Sequence, residues 1–136
     1  MPLDKTKYKI LKLDCPAEKV LRITFDRPET YNSLDADGHR ELAYIWREID
    51  DDPAINSVLL TGAGKAFSSG GDFEMIEKVM DDFDFRAQIW KEAKDLVYNI
   101  INCSKPIVSA INGPAVGAGL VAGLLADISI AGKKAK

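Results

Sequence analysis

Two short stretches of this sequence place small residues directly behind an apolar run and ahead of a helix-like one: SSGGD at 68–72 and AVGAG at 115–119. In that position the first amides of a helix are unpaired and carry partial positive charge, so the turn attracts negative charge. Glycine also lets a ligand atom approach the main chain and opens dihedrals closed to other residues. Three readings follow. Each turn can be a tight connection with close helix packing. Each can bind phosphate, although glycines 117, 119 and 123 miss the GxGxxG spacing and GxxxxGK[ST] is absent. Or the two turns together can present two backbone N–H donors to one developing oxyanion, an effect worth about 3–4 kcal/mol per donor in acyl chemistry.

Other chemistry-bearing residues read as structural. The single histidine, His39, sits among charged residues on a helical pattern and reads as a solvated surface side chain. The two cysteines, Cys15 and Cys103, lack CxxC spacing and read as buried thiols in a reducing compartment, so no metal site is expected. Glu74 and Glu77 read as a solvated helix face, and the acidic DDFDF at 81–85 as a solvated loop.

The elements that must position the turns can be read from periodicity. YKILKL (8–13) and VLRITF (20–25) predict paired strands around the turn-forming DCPAEK. Leu42, Ile45, Trp46 and Ile49 mark the buried face of a helix capped by Asp35 or Asp37. SVLLTG (57–62) reads as a buried strand, giving a βαβ-like order, and 73–79 as a helical turn or a flap. From Arg86, the residues Ile89, Ala93, Leu96, Val97, Ile100 and Ile101 mark a long amphipathic helix that SKP stops. The strand IVSAIN, the turn GPAVGAG, an apolar helix over 120–126 and the strand DISIAG follow. That last helix is hydrophobic on nearly every side and predicts more fold to pack against.

At 136 residues, 46% hydrophobic and 29% charged, the composition is globular, and one domain or part of one is expected. A net charge of −3 offers no general attraction to nucleic acid or to anionic membranes. The charge-free segment 106–126 is long enough to span a bilayer, but Asn112, Pro114 and its glycines divide it into strand, turn and helix. The start MPLDKTKYKI has no secretory pattern, and a cytoplasmic location is expected.

The order DRPETYNSL, LLTGAGKAFSSGGDF and KPIVSAINGPAVGAGLVAGLLADISIAG resembles the enoyl-CoA hydratase/isomerase, or crotonase, family over nearly the whole chain. The resemblance implies an α/β fold, a spiral of ββα units assembled as trimers or pairs of trimers. Residues 1–136 correspond to its N-terminal part, and the chain looks truncated relative to the family. It also implies an acyl-CoA thioester substrate, with no cofactor beyond the coenzyme A that the substrate carries. By position in the motifs, the oxyanion donors are the amides of Gly71 and Ala118. Ser69, Asp72 and Phe73 line the coenzyme A path, with the Ser69 carbonyl offered to adenine, Asp72 caps or braces its turn, and Asp127 is structural. Glu29, Thr30 and Tyr31 form the loop near the pantetheine and phosphates, where a cation frequent in the family is missing. The position of the first hydratase glutamate is Val121, which cannot transfer a proton, and the second carboxylate position of the family lies beyond Lys136. Three functions are therefore carried forward: an enzyme of enolate chemistry, a non-catalytic acyl-CoA-binding homologue, and a dinucleotide-binding α/β protein.

Overall fold

The structure, a computed structural model, describes residues 2–136. Strands β1 (Leu11–Ala17) and β2 (Val20–Phe25) form an antiparallel hairpin, closed by a turn in which Lys19 takes a left-handed conformation. The first strand lies further along the chain than its apolar pattern predicts, for two reasons. Its approach is taken over by Glu41, whose carboxylate accepts from the amides of Lys9, Ile10 and Leu11 at 2.8, 3.1 and 2.9 Å. Its far end is held in the ladder by the cross-strand pair of Arg22 with Asp14. Pro16 is tolerated where the register becomes irregular, on an edge strand.

Helix α1 (Ala36–Asp51) begins where Asp35 Oδ1 accepts from the Gly38 amide at 2.8 Å, so Asp35 is the cap and Asp37 a first-turn acid. Leu42, Ile45, Trp46 and Ile49 are all buried, as their spacing predicts. β3 (Ser57–Gly62) follows and pairs parallel to β2. Helices α2 (Phe73–Asp81) and α3 (Phe83–Asn102) are separated by Asp82 alone. The acidic run 81–85 is thus not a loop. Asp82 closes α2 through its own amide and caps α3 by accepting from the Phe85 amide at 3.0 Å. β4 (Ile107–Ile111), α4 (Gly117–Leu124) and β5 (Ile128–Ala131) complete the chain.

The sheet runs β1-β2-β3-β4-β5, with every pair after the first parallel. Each crossover therefore advances one strand, as a spiral requires. The burial of the strands alternates: Leu21, Ile23, Phe25, Val58, Leu60, Ile107 and Ile111 meet α1, α3 and α4 in one core, whereas Leu59 and Val108 on the other face are half-buried. Strands that read as buried on both faces are thus covered fully on one. On α4, Val121 and Leu124 are exposed. The cysteines also depart from expectation. Cys15 is exposed on the edge strand, where Lys5 Nζ donates to its sulfur at 3.0 Å, and Cys103 is half-buried at the end of α3. No helix among the described residues is long and apolar enough to cross a membrane.

Candidate active site

Because β3 and β4 are parallel neighbours, the turns that follow them emerge at the same edge of the sheet, outside the carboxyl ends of the strands, where open α/β sheets bind ligands. The two turns are stitched together there. Ser68 bridges to Ala115, the Val116 amide donates to the Ser68 carbonyl at 2.8 Å, and Phe67 and Ser68 both donate to the Pro114 carbonyl. Gly70, at φ +81°, brings the chain so near the second turn that a Cβ would lie 3.0 Å from the Val116 carbonyl oxygen. Gly119 admits Ser68 even more closely, since a Cβ there would stand 2.3 Å from that of Ser68. The close-packing reading is therefore correct for these two glycines.

Gly71 is different. It bridges to Leu34, but the bridge uses the Gly70 carbonyl and the Asp72 amide and leaves the Gly71 N–H out. Ala118 is the second residue of α4, where an amide has no acceptor inside its own helix. Both residues line one apolar cavity of about 390 Å³, together with His39, Met75, Ile76, Ala93, Leu96, Val97 and Val121. A second cavity of about 650 Å³ is lined by Arg27, Thr30, Tyr31, Ser33, Ser69, Asp72, Phe73 and Glu74, and it shares Gly71 and Ile76 with the first. The two cavities thus adjoin at Gly71 and Ile76, the larger one adding the charged and polar side chains of Arg27, Thr30, Ser69, Asp72 and Glu74 to an apolar lining.

The sequence pattern that defines the enoyl-CoA hydratase/isomerase family matches residues 16–136. The chain belongs to that family. It is 34% identical over 119 residues to the 1,2-epoxyphenylacetyl-CoA isomerase of Escherichia coli K12, covering 86% of this chain and 45% of that protein. To the (E)-benzylidenesuccinyl-CoA hydratase of Thauera aromatica it is 37% identical over 118 residues, with the same coverages, 86% and 45%. Among solved structures, an enoyl-CoA hydratase/isomerase from Mycobacterium paratuberculosis superposes with a TM-score of 0.86 at 36% identity, over 90% of this chain and 49% of that one. The chain spans about half the length of the curated relatives it matches.

On this crotonase scaffold the residues singled out from the motifs fall as follows. Ser69, Asp72, Phe73, Thr30 and Tyr31 line the larger cavity; Glu29 does not, and lies exposed on a single 3-10 turn, Pro28–Thr30. Ser69 is fastened to this loop at both ends, its amide to the Tyr31 carbonyl at 2.9 Å and its hydroxyl to the Thr30 carbonyl at 3.2 Å. Asp72 is the cap of α2, accepting from the Met75 amide at 2.8 Å, and Asp127 accepts from the Ile107 amide at 2.7 Å. Both are structural in the way expected. Glu74 and Glu77 are exposed, and only Glu74 lines a cavity of the site. Val121 lines the apolar chamber.

Three residues of the site were not found by sequence reasoning. Arg27 lines the larger cavity and is paired with Asp35 at 3.4 Å, so this channel does contain a cation. It sits just before Pro28, and its charge was the available signal. Asn32, left-handed at φ 59°, donates from its side-chain amide to the carbonyls of Ala63, Ala66 and Phe67, while its own carbonyl accepts from Ser68 Oγ. It thereby holds the first glycine turn from inside, and an asparagine in a loop gives no local sign of that. The third is His39, which is not a solvated surface residue. It is 4% exposed, lines the apolar chamber, and Nδ1 lies 3.0 Å from Glu92 Oε2 on α3. Of its charged neighbours in sequence, Asp37 and Arg40 are exposed, and Arg40 reaches round to the same Glu92 at 3.2 Å.

Proposed function

We propose that this chain binds an acyl-CoA thioester with its carbonyl oxygen between the amides of Gly71 and Ala118, and stabilises the enolate formed next to that carbonyl. The observation that carries the reading is the junction: Gly71 borders both cavities, and Ala118 borders the apolar one. A thioester carbonyl likewise stands between two parts, an apolar acyl group and a long pantetheine–nucleotide arm that can use the charged and polar side chains of the larger cavity. In this reading the acyl group occupies the apolar chamber. The arm follows Ser69, Asp72, Phe73, Thr30 and Tyr31, with the Ser69 carbonyl free to accept from adenine and Arg27 available to the phosphates. Phe73, 86% exposed, offers a ring at the channel mouth.

When a proton leaves the α-carbon, the C–H pair becomes a C=C bond and the carbonyl π pair moves onto the oxygen. Two fixed N–H donors favour that charge over the neutral carbonyl, by about 3–4 kcal/mol per donor. The N-terminus of α4 adds its dipole in the same direction. No cofactor is invoked beyond the coenzyme A of the substrate, and assembly as trimers or hexamers is proposed for the whole protein. A binding-only reading has one observation in its favour: Val121, at the position of a family acid, leaves the chamber without a carboxylate.

The test uses butanoyl-CoA in deuterated water, followed by proton NMR for binding and for deuterium entry at the α-carbon. Ala118→Pro removes one donor at a first-turn position where proline is tolerated. It is expected to slow exchange about 10²–10³-fold, while Ala118→Gly, which keeps the donor, stays within a few fold. Equal exchange in folded Ala118→Pro and wild type would sink the oxyanion assignment.

A further inference from the structure

The apolar chamber contains a single ionisable side chain, His39. Its surroundings fix how the ring is used. Glu92, 3% exposed, accepts at Oε1 from Arg40 Nε at 3.2 Å and from Gln88 Nε2 at 3.1 Å, and at Oε2 it meets His39 Nδ1 at 3.0 Å. A carboxylate only accepts, so the hydrogen in the last contact belongs to Nδ1, and in the neutral ring the lone pair is left on Nε2. No protein partner is found for Nε2 among the described residues, and it is not sealed away from solvent either. A carboxylate behind one ring nitrogen fixes the histidine tautomer and leaves the other nitrogen for proton transfer, and this ring lines the apolar cavity. The oxyanion candidates Gly71 and Ala118 line the same chamber.

We propose that His39 is the acid/base residue of this chain, with Nε2 removing and returning the proton next to the thioester carbonyl and Glu92 acting as its positioning residue. This rests on the reading of Gly71 and Ala118 as holding a thioester. In the forward step the α C–H bond breaks and an Nε2–H bond forms, and the C–H pair is delivered through the new C=C bond to the oxygen at the two amides. In the reverse step Nε2–H returns its proton, or a deuteron after exchange with solvent, to carbon. Nothing is oxidised and no co-reactant is needed. Val121, where the family resemblance points to an acid, then does not leave the chamber without a proton acceptor.

The competing role is a structural tie between helices. α1 and α3 share a polar seam in which Tyr44 donates to Asp95 at 2.8 Å, Arg47 to Asn99 at 2.9 Å and Asn99 to the Ala43 carbonyl at 2.7 Å, and His39–Glu92 continues it. Of these side chains His39 alone lines the apolar chamber. A tie alone explains its Nδ1 contact but gives no use for Nε2.

The experiment compares wild type, His39→Gln and Glu92→Gln by α-deuterium exchange into butanoyl-CoA, by the dissociation constant for the same thioester, and by thermal midpoint. Loss of a positioned base is expected to slow exchange in His39→Gln about 10²–10⁴-fold, with the dissociation constant within threefold. Glu92→Gln is expected to lower the exchange rate at saturation without moving the half-saturating concentration. Exchange within a few fold of wild type in His39→Gln overturns the proposal. So does a wild type that binds the thioester without exchanging it, an outcome that leaves the binding site standing. A wild type that neither binds nor exchanges overturns the functional reading itself. Should the buried substitution prevent folding, the native protein decides, because the sequence contains one histidine and its ring nitrogens are unambiguous in a long-range proton–nitrogen NMR spectrum. Hydrogen on Nδ1 in the free protein and a displaced Nε2 resonance at saturating butanoyl-CoA are expected; an unmoved Nε2 overturns the proposal.

Discussion

Gly119→Ala tests whether the two turns are held together by the packing described above. Alanine at a helix interior position normally stabilises by about 1 kcal/mol over glycine. Here the new Cβ would stand 2.3 Å from Ser68 Cβ and 2.4 Å from Ser68 Oγ, both on a fully buried residue. Rotation about χ1 moves Oγ but not Cβ, so only a backbone shift relieves the clash. That shift must work against the Ser68–Ala115 bridge, the Val116 amide bond to Ser68 and the Ser68 hydroxyl bond to the Asn32 carbonyl. Overpacking of this kind costs about 1–3 kcal/mol, which overrides the helix gain. In a Ser68→Gly background the nearest remaining atom, Ser68 Cα, lies at 3.6 Å, an ordinary contact. There the same substitution should be neutral or stabilising by up to about 1 kcal/mol. The difference between the two backgrounds is a coupling of about 1–4 kcal/mol, within or above the range usual for residues in contact. Urea unfolding of the four proteins measures it. If Gly119→Ala destabilises equally in both backgrounds, or not at all, the turns do not meet as described.

Three further outcomes follow from particular contacts. Glu41→Ala leaves the amides of Lys9, Ile10 and Leu11 without their acceptor and should cost about 1–3 kcal/mol in urea unfolding, because the half-buried Ile10 and buried Leu11 are poorly placed to use water instead; an unchanged midpoint would show that the segment before β1 is solvated. The carboxyl of Asp52 is held below its reference of 3.8, first by the Leu3 amide, and hydrogen bonds from Ser104 and Arg22 do the same for Asp50 and Asp14. Carboxyls depressed in the folded state contribute stability that is fully present above about pH 4 and is lost as pH falls through the lowered values, so the urea midpoint should fall below that pH and Asp52→Asn should make the fall shallower. The Cys103 thiol is pushed up by burial, whereas Cys15 is exposed, so brief iodoacetamide treatment at neutral pH should give one adduct by mass spectrometry, on Cys15. Equal labelling of both sites would contradict the half-buried position of Cys103.

Where a structural decision is local, the sequence carries it. The buried stripe of α1 repeats at helical spacing, Asp35 and Asp72 stand directly before their helices, and the strand–turn–helix division of 106–126 follows from its asparagine, proline and glycines. Where the decision depends on a distant partner, it does not. The start of β1 is set by Glu41, some thirty residues away in sequence. His39 reads as a surface residue because Asp37, Arg40 and Glu41 surround it, and the carboxylate that makes its burial tolerable, Glu92, arrives from a helix whose apolar positions alone are periodic. Even the glycine turns illustrate the difference. Their presence is visible, yet the division of labour between Gly70 and Gly119, which let backbones meet, and Gly71, whose amide stays out of the ladder, appears only once the turns face each other.

That division makes the site a property of the sheet register. Gly71 and Ala118 lie far apart in the chain and line one chamber only because β3 and β4 are parallel neighbours with Val58 opposite Ile107. Slipping that register by one residue would send Val58 and Leu60, or Ile107, Ser109 and Ile111, to the half-covered face, and would expose the side chains that meet α1 and α3. Core packing therefore excludes the slip. The same choice fixes the Ser68–Ala115 bridge, which in turn sets how far Gly71 stands from the first turn of α4. A pair of backbone donors can be aimed this way without any functional side chain, so Ala118 serves through its amide alone. A proton acceptor cannot be supplied by backbone, and the chamber's only candidate, His39, comes from α1, an element held by the same core. Oxyanion donors and proton transfer should therefore be separable by mutation: Ala118→Pro acts on the first and His39→Gln on the second, and their losses of exchange should combine less than additively if both act on one enolate.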